Sequence, residues 1–366
     1  MNIILAAGVA FIITALATPL TIKIAKHFGL VDDPARRPHP AHVHTKVIPR
    51  AGGLGIYIGI LAAILIFLPI EKYLVGIIGG ITILLIIGLI DDKITRFSPY
   101  LRLTLLILAA LFPVMAGIGI SFVSNPFPYL IPGVVIRLDT LIMPFEFIGP
   151  HKIIILADLL ALVWIISLTQ IINWSKGVDG QMPSITTITA ITLGFLSLQL
   201  FNKGDSNQLN VALLAFVTAG SSLGFLLFNW HPAKIIPGFS GSTILAFMLA
   251  ILAILSGAKL ATALIVLAIP TVDFIYTFFR RILQGRSPVW GDRGHLHHLL
   301  LDKGWSPPQI SLFYALVSAM LGAGALLVDS ESKIFLLLGA SVAAFVLILW
   351  ANSFGGLLNR RDRVSG

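Results

Sequence analysis

From Tyr73 to Ile90 the chain runs eighteen residues without a charge, then meets two adjacent carboxylates, Asp91 and Asp92. A stretch that apolar reads as a membrane-spanning helix, since about 20 apolar residues cross a hydrocarbon core. The carboxyl end of a helix carries partial negative charge, so two aspartates there are disfavoured by the helix dipole. They make sense if a cation sits on them, either a metal ion or a cluster of Arg, Lys and His. Simple solvation at the membrane boundary is the bland alternative.

The rest of the chain repeats the apolar theme. Over 366 residues it is 57% hydrophobic and 11% charged, a balance that leaves too little charge for a soluble surface. The fold expected is all-α: a polytopic membrane helical bundle forming one integral-membrane domain over 1–366. Cysteine is absent, which excludes disulfides, thiolate metal sites and a Cys nucleophile. The N-terminal apolar run lacks a basic leader and continues for about 20 residues, so it reads as a first span and not as a removable signal. Eleven spans are expected, near 2–24, 51–71, 73–90, 101–123, 153–173, 183–202, 210–229, 239–256, 258–280, 307–328 and 334–352. With that count the Lys and Arg residues divide 19 to 6 between the two sides. The positive-inside rule then places the N-terminus outside and the C-terminus in the cytoplasm. An even number of spans would scramble the separation. The excess of 25 Lys+Arg over 16 Asp+Glu fits orientation and anionic head groups, and no nucleic-acid partner is expected. The longest outer loop, 124–152, has alternating runs such as VVIRLDT and is expected to form a small hairpin.

The polar clusters fall on the inner side. After the first span comes GLVDDPARRPHPAHVHTKVIPRAGG, with Asp32, Asp33, Arg36, Arg37 and His39, His42 and His44. The loops 91–102, 174–182, 230–243 and 281–306 follow. Arg102 opens the fourth span, close enough in sequence to neutralise the aspartate pair. IINWSKGVDGQ presents Asn173, Lys176 and Asp179 at a glycine-loosened helix end, suited to capping or to ligand contact. PGFSGST puts Gly238, Ser240, Gly241 and Ser242 at a helix start, where free N–H groups and the dipole make an anion cradle. GDRGHLHH gathers Asp292, Arg293, His295, His297 and His298. The His spacing is not that of a zinc helix, so anion binding is the better reading. Carboxylates, Mg²⁺ and basic residues together are the equipment of phosphoryl transfer. A membrane location points to one lipid phosphate and one soluble nucleotide-linked phosphate.

These segments resemble, in order, the motifs of the polyprenyl-phosphate N-acetylhexosamine-1-phosphate transferase family. VDDPARR with His44 and PRAGG resembles its first cytoplasmic motif, and GLIDDKITRFSP with Arg102 its Asp-Asp motif. INWSKGVDG resembles Asn-x-x-Asp-Gly-x-Asp-Gly, and FNWHPAKIIPGFSGS the segment ending Gly-Asp-x-Gly-Ser. Pro270, Asp273, Arg280 and Arg281 match a ninth-span pattern, and HLHH the His motif of the N-acetylglucosamine-1-phosphate branch. The resemblance implies transfer of an N-acetylhexosamine 1-phosphate, here N-acetylglucosamine 1-phosphate, from a UDP-sugar to undecaprenyl phosphate. The products would be a lipid-linked diphosphate sugar for envelope polymers, and UMP. It implies Mg²⁺, with Mn²⁺ as a substitute, held by Asp91 and Asp92. It also implies His295, His297 and His298 on the donor phosphates, Asp179 near the nucleotide, a multi-pass cell-membrane location and a cytoplasmic active site. A homodimer is left open.

Two positions depart from the resembled pattern: Lys176 and Phe239 stand where it has aspartates. Asp91 and Asp92 could still hold the metal more weakly, Lys176 could pair with a phosphate and reduce the need for metal, or the donor could differ. The alternatives in function are an impaired binding or regulatory relative, a phospho-N-acetylmuramoyl-pentapeptide-type transferase, and a transporter using Asp158 and Asp273 within its spans.

Overall fold

A computed structural model describes residues 2–35, 44–94, 97–124, 135–146, 150–257, 259–287 and 293–361. Arg36, Arg37, His39, His42 and Asp292 lie outside them. The helices are α1 (Asn2–His27), α2 (Gly52–Phe67), α3 (Lys72–Lys93), α4 (Pro99–Met115), α5 (Ile155–Trp174), α6 (Gln181–Asn202) and α7 (Gln208–Asn229). They continue as α8 (Gly238–Leu255), α9 (Leu260–Val266), α10 (Ala268–Leu283), α11 (Leu296–Asp302), α12 (Pro307–Leu327) and α13 (Lys333–Arg361). The chain is an all-α polytopic bundle. Among the described residues eight helices are long and apolar enough to cross a membrane.

Three of the expected spans take a different form. α2 and α4 are shorter, at 16 and 17 residues. The span expected over 258–280 is broken: α9 and α10 meet at 84°, around Leu267. The expected single hairpin of 124–152 is replaced by two. β3 (Phe122–Ser124) pairs antiparallel with β4 (Val135–Arg137), and β5 (Ile142–Glu146) with β6 (Pro150–Ile154). Alternation marks strands but does not say which runs pair, because pairing is settled across chain that the pattern does not read.

α8 is the axis of the bundle. Every residue from Gly238 to Ile254 is buried, and α2, α3, α5, α6, α7 and α9 pack on it. A helix apolar on all sides belongs inside other protein. Small residues let neighbouring helices come close at its start. A Cβ at Gly88 of α3 would lie 2.3 Å from the Ser240 Cα, and one at Gly53 of α2 would lie 2.5 Å from the Ser240 side chain. The GLIDD and PRAGG glycines therefore press the ends of two helices onto the first turn of α8, and Asp92 arrives there with them.

Backbone pairing positions the entry to α2. β1 (Val31–Asp32) pairs antiparallel with β2 (Ile48–Pro49), and Arg50 bridges in parallel to Ile236, just before α8. Arg50 is thus pinned between the segment that follows α1 and the start of α8.

Candidate active site

Asp91 and Asp92 are fully buried. Asp92 is saturated. Its Oδ1 accepts Arg50 Nε at 2.9 Å and the Phe239 N–H at 2.7 Å. Its Oδ2 accepts the Ser240 hydroxyl at 2.7 Å and the Ser240 N–H at 3.3 Å. A carboxylate from α3 therefore caps α8, and the dipole that disfavours it on its own helix is offset by the positive end of another. At 237–243, where the sequence suggests an anion cradle, the anion held by the helix start in this structure is Asp92. Gly238 is required there. Its φ is +68°, and a Cβ would sit 2.4 Å from Asp92 Oδ2.

Asp91 is held differently. Its Oδ1 accepts Arg102 Nε, while its Oδ2 lies 3.7 Å from Arg50 Nη2 and has no hydrogen-bond partner. Arg50 Nη1 also lies 3.5 Å from Asp32 Oδ1.

Lys176 closes the cluster from the end of α5. Its Nζ donates to Asn173 Oδ1 at 2.6 Å, to the Gly238 carbonyl at 3.0 Å and to Ser242 Oγ at 3.0 Å. Burial, and after it the charge of Arg50, pull its pKa down to about 7. The Phe239 ring lies between two cations, with Arg102 5.7 Å and Lys176 5.6 Å from its centroid.

The His motif adjoins this cluster through Gly177, where a Cβ would fall 1.9 Å from His297 Nε2. His295 Nδ1 is 2.8 Å from Asp273 Oδ2, and Asp273 Oδ1 accepts the Leu296 N–H at 2.9 Å. The Arg281 guanidinium lies 4.7 Å from the Trp174 ring and 3.5 Å from His295 Nε2. His295 and His297 are stacked with parallel rings at 5.6 Å. Burial pushes His297 well below the usual histidine range and His298 down to about 4, helped in both by neighbouring His charges. Both rings are therefore neutral at pH 7. Asp179 forms a third group: Oδ2 is 2.8 Å from His231 Nδ1 and accepts the Ala233 N–H at 3.1 Å, and Oδ1 is 3.2 Å from His44 Nε2.

The structure thus gathers Asp91, Asp92, Arg102, Asn173, Lys176, Gly238, Ser240 and Ser242, with Gly241 packed on the Gly53 nitrogen at 3.0 Å from an added Cβ. Arg293 stands apart at the surface, its Nη2 2.6 Å from Asp302 Oδ1, beside a cleft of about 570 Å³ that Arg280, Gln284 and Arg286 also line. Arg50 and His231 also join these groups, and neither is marked as a site residue by the sequence. The signal for Arg50 was its place beside the PRAGG glycines. His231 had none, since its partner lies 52 residues away. Asp158 caps the first turn of its own helix through the Ile154 N–H at 3.0 Å, and Asp273 is occupied by His295, so both intramembrane acids have structural partners.

The family model described as glycosyl transferase family 4 matches residues 74–257, half of the chain, spanning the aspartate pair, Lys176 and Phe239. The chain belongs to glycosyl transferase family 4. Among its relatives, a probable undecaprenyl-phosphate N-acetylglucosaminyl 1-phosphate transferase of Bacillus subtilis (strain 168) is 29% identical over 88% of this chain and 85% of its own length. A decaprenyl-phosphate N-acetylglucosaminephosphotransferase of Mycobacterium leprae (strain TN) is 30% identical over 96% of this chain and 90% of its own. An undecaprenyl-phosphate alpha-N-acetylglucosaminyl 1-phosphate transferase of Escherichia coli (strain K12) is 27% identical over 86% and 80%.

The Mg²⁺ expected from the resemblance can be tested against the donors present. Mg²⁺ takes hard oxygens, commonly one or two carboxylates completed by water and phosphate. Both oxygens of Asp92 are already taken by four donors, leaving Asp91 Oδ2 as the one oxygen of the pair without a hydrogen-bond partner. Among the described residues no three His, Asp or Glu side chains converge as a metal cage. An ammonium and two guanidinium groups surround the pair. This arrangement does not fit a divalent ion held between Asp91 and Asp92.

Proposed function

We propose that the chain is a membrane phosphotransferase that moves N-acetylglucosamine 1-phosphate from UDP-N-acetylglucosamine to undecaprenyl phosphate. The observation that carries this is the buried aspartate pair at the end of α3 with Arg50, Arg102 and Lys176 gathered round it. The activities for which the relatives are named supply the sugar and the lipid class. In the reaction an oxygen of the lipid phosphate forms a bond to the β-phosphorus of the donor. The bond from that phosphorus to the bridging oxygen breaks, and UMP leaves with that oxygen and its electron pair. Two phosphates repel one another, and fixed positive charge offsets that repulsion in the transition state. Asp91 Oδ2 is the group placed to accept the proton of a singly protonated lipid phosphate. Asp92 holds Arg50 and the start of α8 in register. His295 is aimed by Asp273, and the Arg281 face beside it suits the donor diphosphate.

The cytoplasmic face belongs to the same proposal. Site residues come from the five segments that the Lys and Arg distribution assigns to one side, and their convergence supports that assignment.

The test is transfer of label from UDP-N-acetylglucosamine into organic-extractable product, with UMP release, by purified protein supplied with undecaprenyl phosphate. No product from a panel of nucleotide sugars would overturn the reading. A binding or regulatory relative is the second reading, favoured by the complete set of donors on Asp92. It predicts UDP-sugar binding by calorimetry without UMP release.

A further inference from the structure

We infer that the Lys176 ammonium occupies the place of the divalent cation, so that this site takes no metal and uses a built-in charge instead. The inference rests on the transferase reading for its chemistry but on geometry for its site. The three Lys176 N–H groups go to three oxygens: an amide carbonyl, a backbone carbonyl and a hydroxyl. All three acceptors are neutral. The cage fixes the amine in position, and none of its walls cancels the charge that the group carries when protonated, with a pKa of about 7. Ser242, one wall of the cage, also donates to Asn173 Oδ1 at 2.7 Å, so the cage is braced from within.

Phe239 completes the exchange. Its ring offers no ligand oxygen, but it presents a π-face to Lys176 and to Arg102. Such a face suits a fixed organic cation and supplies nothing to Mg²⁺, which demands hard oxygen ligands. The carboxylates tell the same story. Asp92 cannot turn toward a metal without uncapping α8 and releasing Arg50. Asp91 gives one oxygen to Arg102. Lys176 and Phe239 are the two positions at which the sequence departs from the resembled motifs, and the structure brings them into contact. One departure supplies a basic group and the other puts an aromatic face beside it where the resembled motif has a carboxylate.

The experiment uses the full-length protein purified in detergent and stripped with EDTA. Mn²⁺ binding is read by electron paramagnetic resonance, and transfer is assayed in EDTA and in Mg²⁺. The wild type is expected to show no Mn²⁺ site that Asp91→Asn removes, and to transfer equally well in both buffers. The double variant Lys176→Asp/Phe239→Asp is expected to gain one EDTA-reversible Mn²⁺ site. Lys176→Met, which keeps the stem and loses the charge, is expected to lose about 100-fold in turnover, the scale of one preorganised electrostatic donor. A wild-type Mn²⁺ site abolished by Asp91→Asn would overturn the inference. So would EDTA-abolished transfer restored by Mg²⁺, or a double variant with a normal melting transition that gains no Mn²⁺. If the double variant does not fold, the comparison of wild type with Asp91→Asn decides. Absence of transfer under every condition would fell the transferase reading alone, since Mn²⁺ binding is read without turnover.

Discussion

Asp92 and Asp273 solve one problem in two ways. Each is a buried carboxylate on an apolar helix, and each accepts a backbone N–H from the first turn of another helix, α8 for Asp92 and α11 for Asp273. Each also binds a basic side chain, Arg50 in one case and His295 in the other. They differ in what surrounds them. Asp92 has a neighbour, Asp91, with an oxygen left open beside two guanidinium groups, Arg50 and Arg102, and with Lys176, whose pKa is pulled down to about 7, close by. Asp273 has no second aspartate beside it in sequence, and its partner is a ring stacked in a row of buried histidines. A carboxylate in a bundle is thus mainly a fastener between helices. Chemistry becomes available where a second one is carried along and left incompletely satisfied.

The largest effect expected from this contrast is at Asp92. Asp92→Ala takes from Arg50 its nearest carboxylate and leaves α8 uncapped, and should cost about 3–5 kcal/mol together with all transfer. Asp91→Asn should abolish transfer with the melting temperature little changed. Equal destabilisation by the two, in thermal melts of the detergent-solubilised protein, would break the distinction between fastener and working group. Next in size is Gly238→Ala. Left-handed backbone costs an L-residue about 1–2 kcal/mol, and here the Cβ would also displace the Asp92 carboxylate. Transfer should fall with stability, and a variant of normal activity would show that the Asp92 cap is dispensable.

Asp273→Asn should act on binding, because His295 is held through Nδ1. The expected result is a raised KM for the donor with kcat less affected, and a change in kcat alone would place His295 at the reacting atoms. The buried histidines predict a pH effect. The folded-state pKa of His298 is about 4 against an ordinary 6.5, and His297 shifts the same way. Their contribution to stability is therefore present above about pH 6.5 and is lost as pH falls from there toward 4. Melting temperature should decline across that window, and less steeply in His298→Gln. The smallest effect is expected at Arg293. Its pair with Asp302 is exposed, so Arg293→Ala should cost less than about 1 kcal/mol.

The roles of single residues were harder to read than the architecture. PGFSGST has the composition of a phosphate-binding helix start, and only the approach of α3 shows that a carboxylate takes the N–H groups. HxHH beside Arg293 reads as one basic cluster, yet the three rings turn inward while Arg293 turns to Asp302. The broken ninth span could not be read from hydropathy, since Leu260–Leu283 is apolar enough on both sides of the bend.

Sequence alone determined the class of solvent and the order of the segments. Charge-free runs near 20 residues leave a bundle of helices as the solution, because backbone polar groups in lipid must be satisfied within the segment. It also marked out the polar residues that the structure gathers, since Asp91, Asp92, Arg102, Lys176 and the histidines are the unusual members of an apolar chain. Tertiary structure alone decided what each of them holds. Asp92 meets the α8 start 147 residues away, and Lys176 meets Ser242 66 residues away. Hydrogen bonds and charge pairs act over a few ångströms, so partners this far apart in the chain are chosen by helix packing. Here that packing is set by glycines small enough to bring two helices onto one serine of a third.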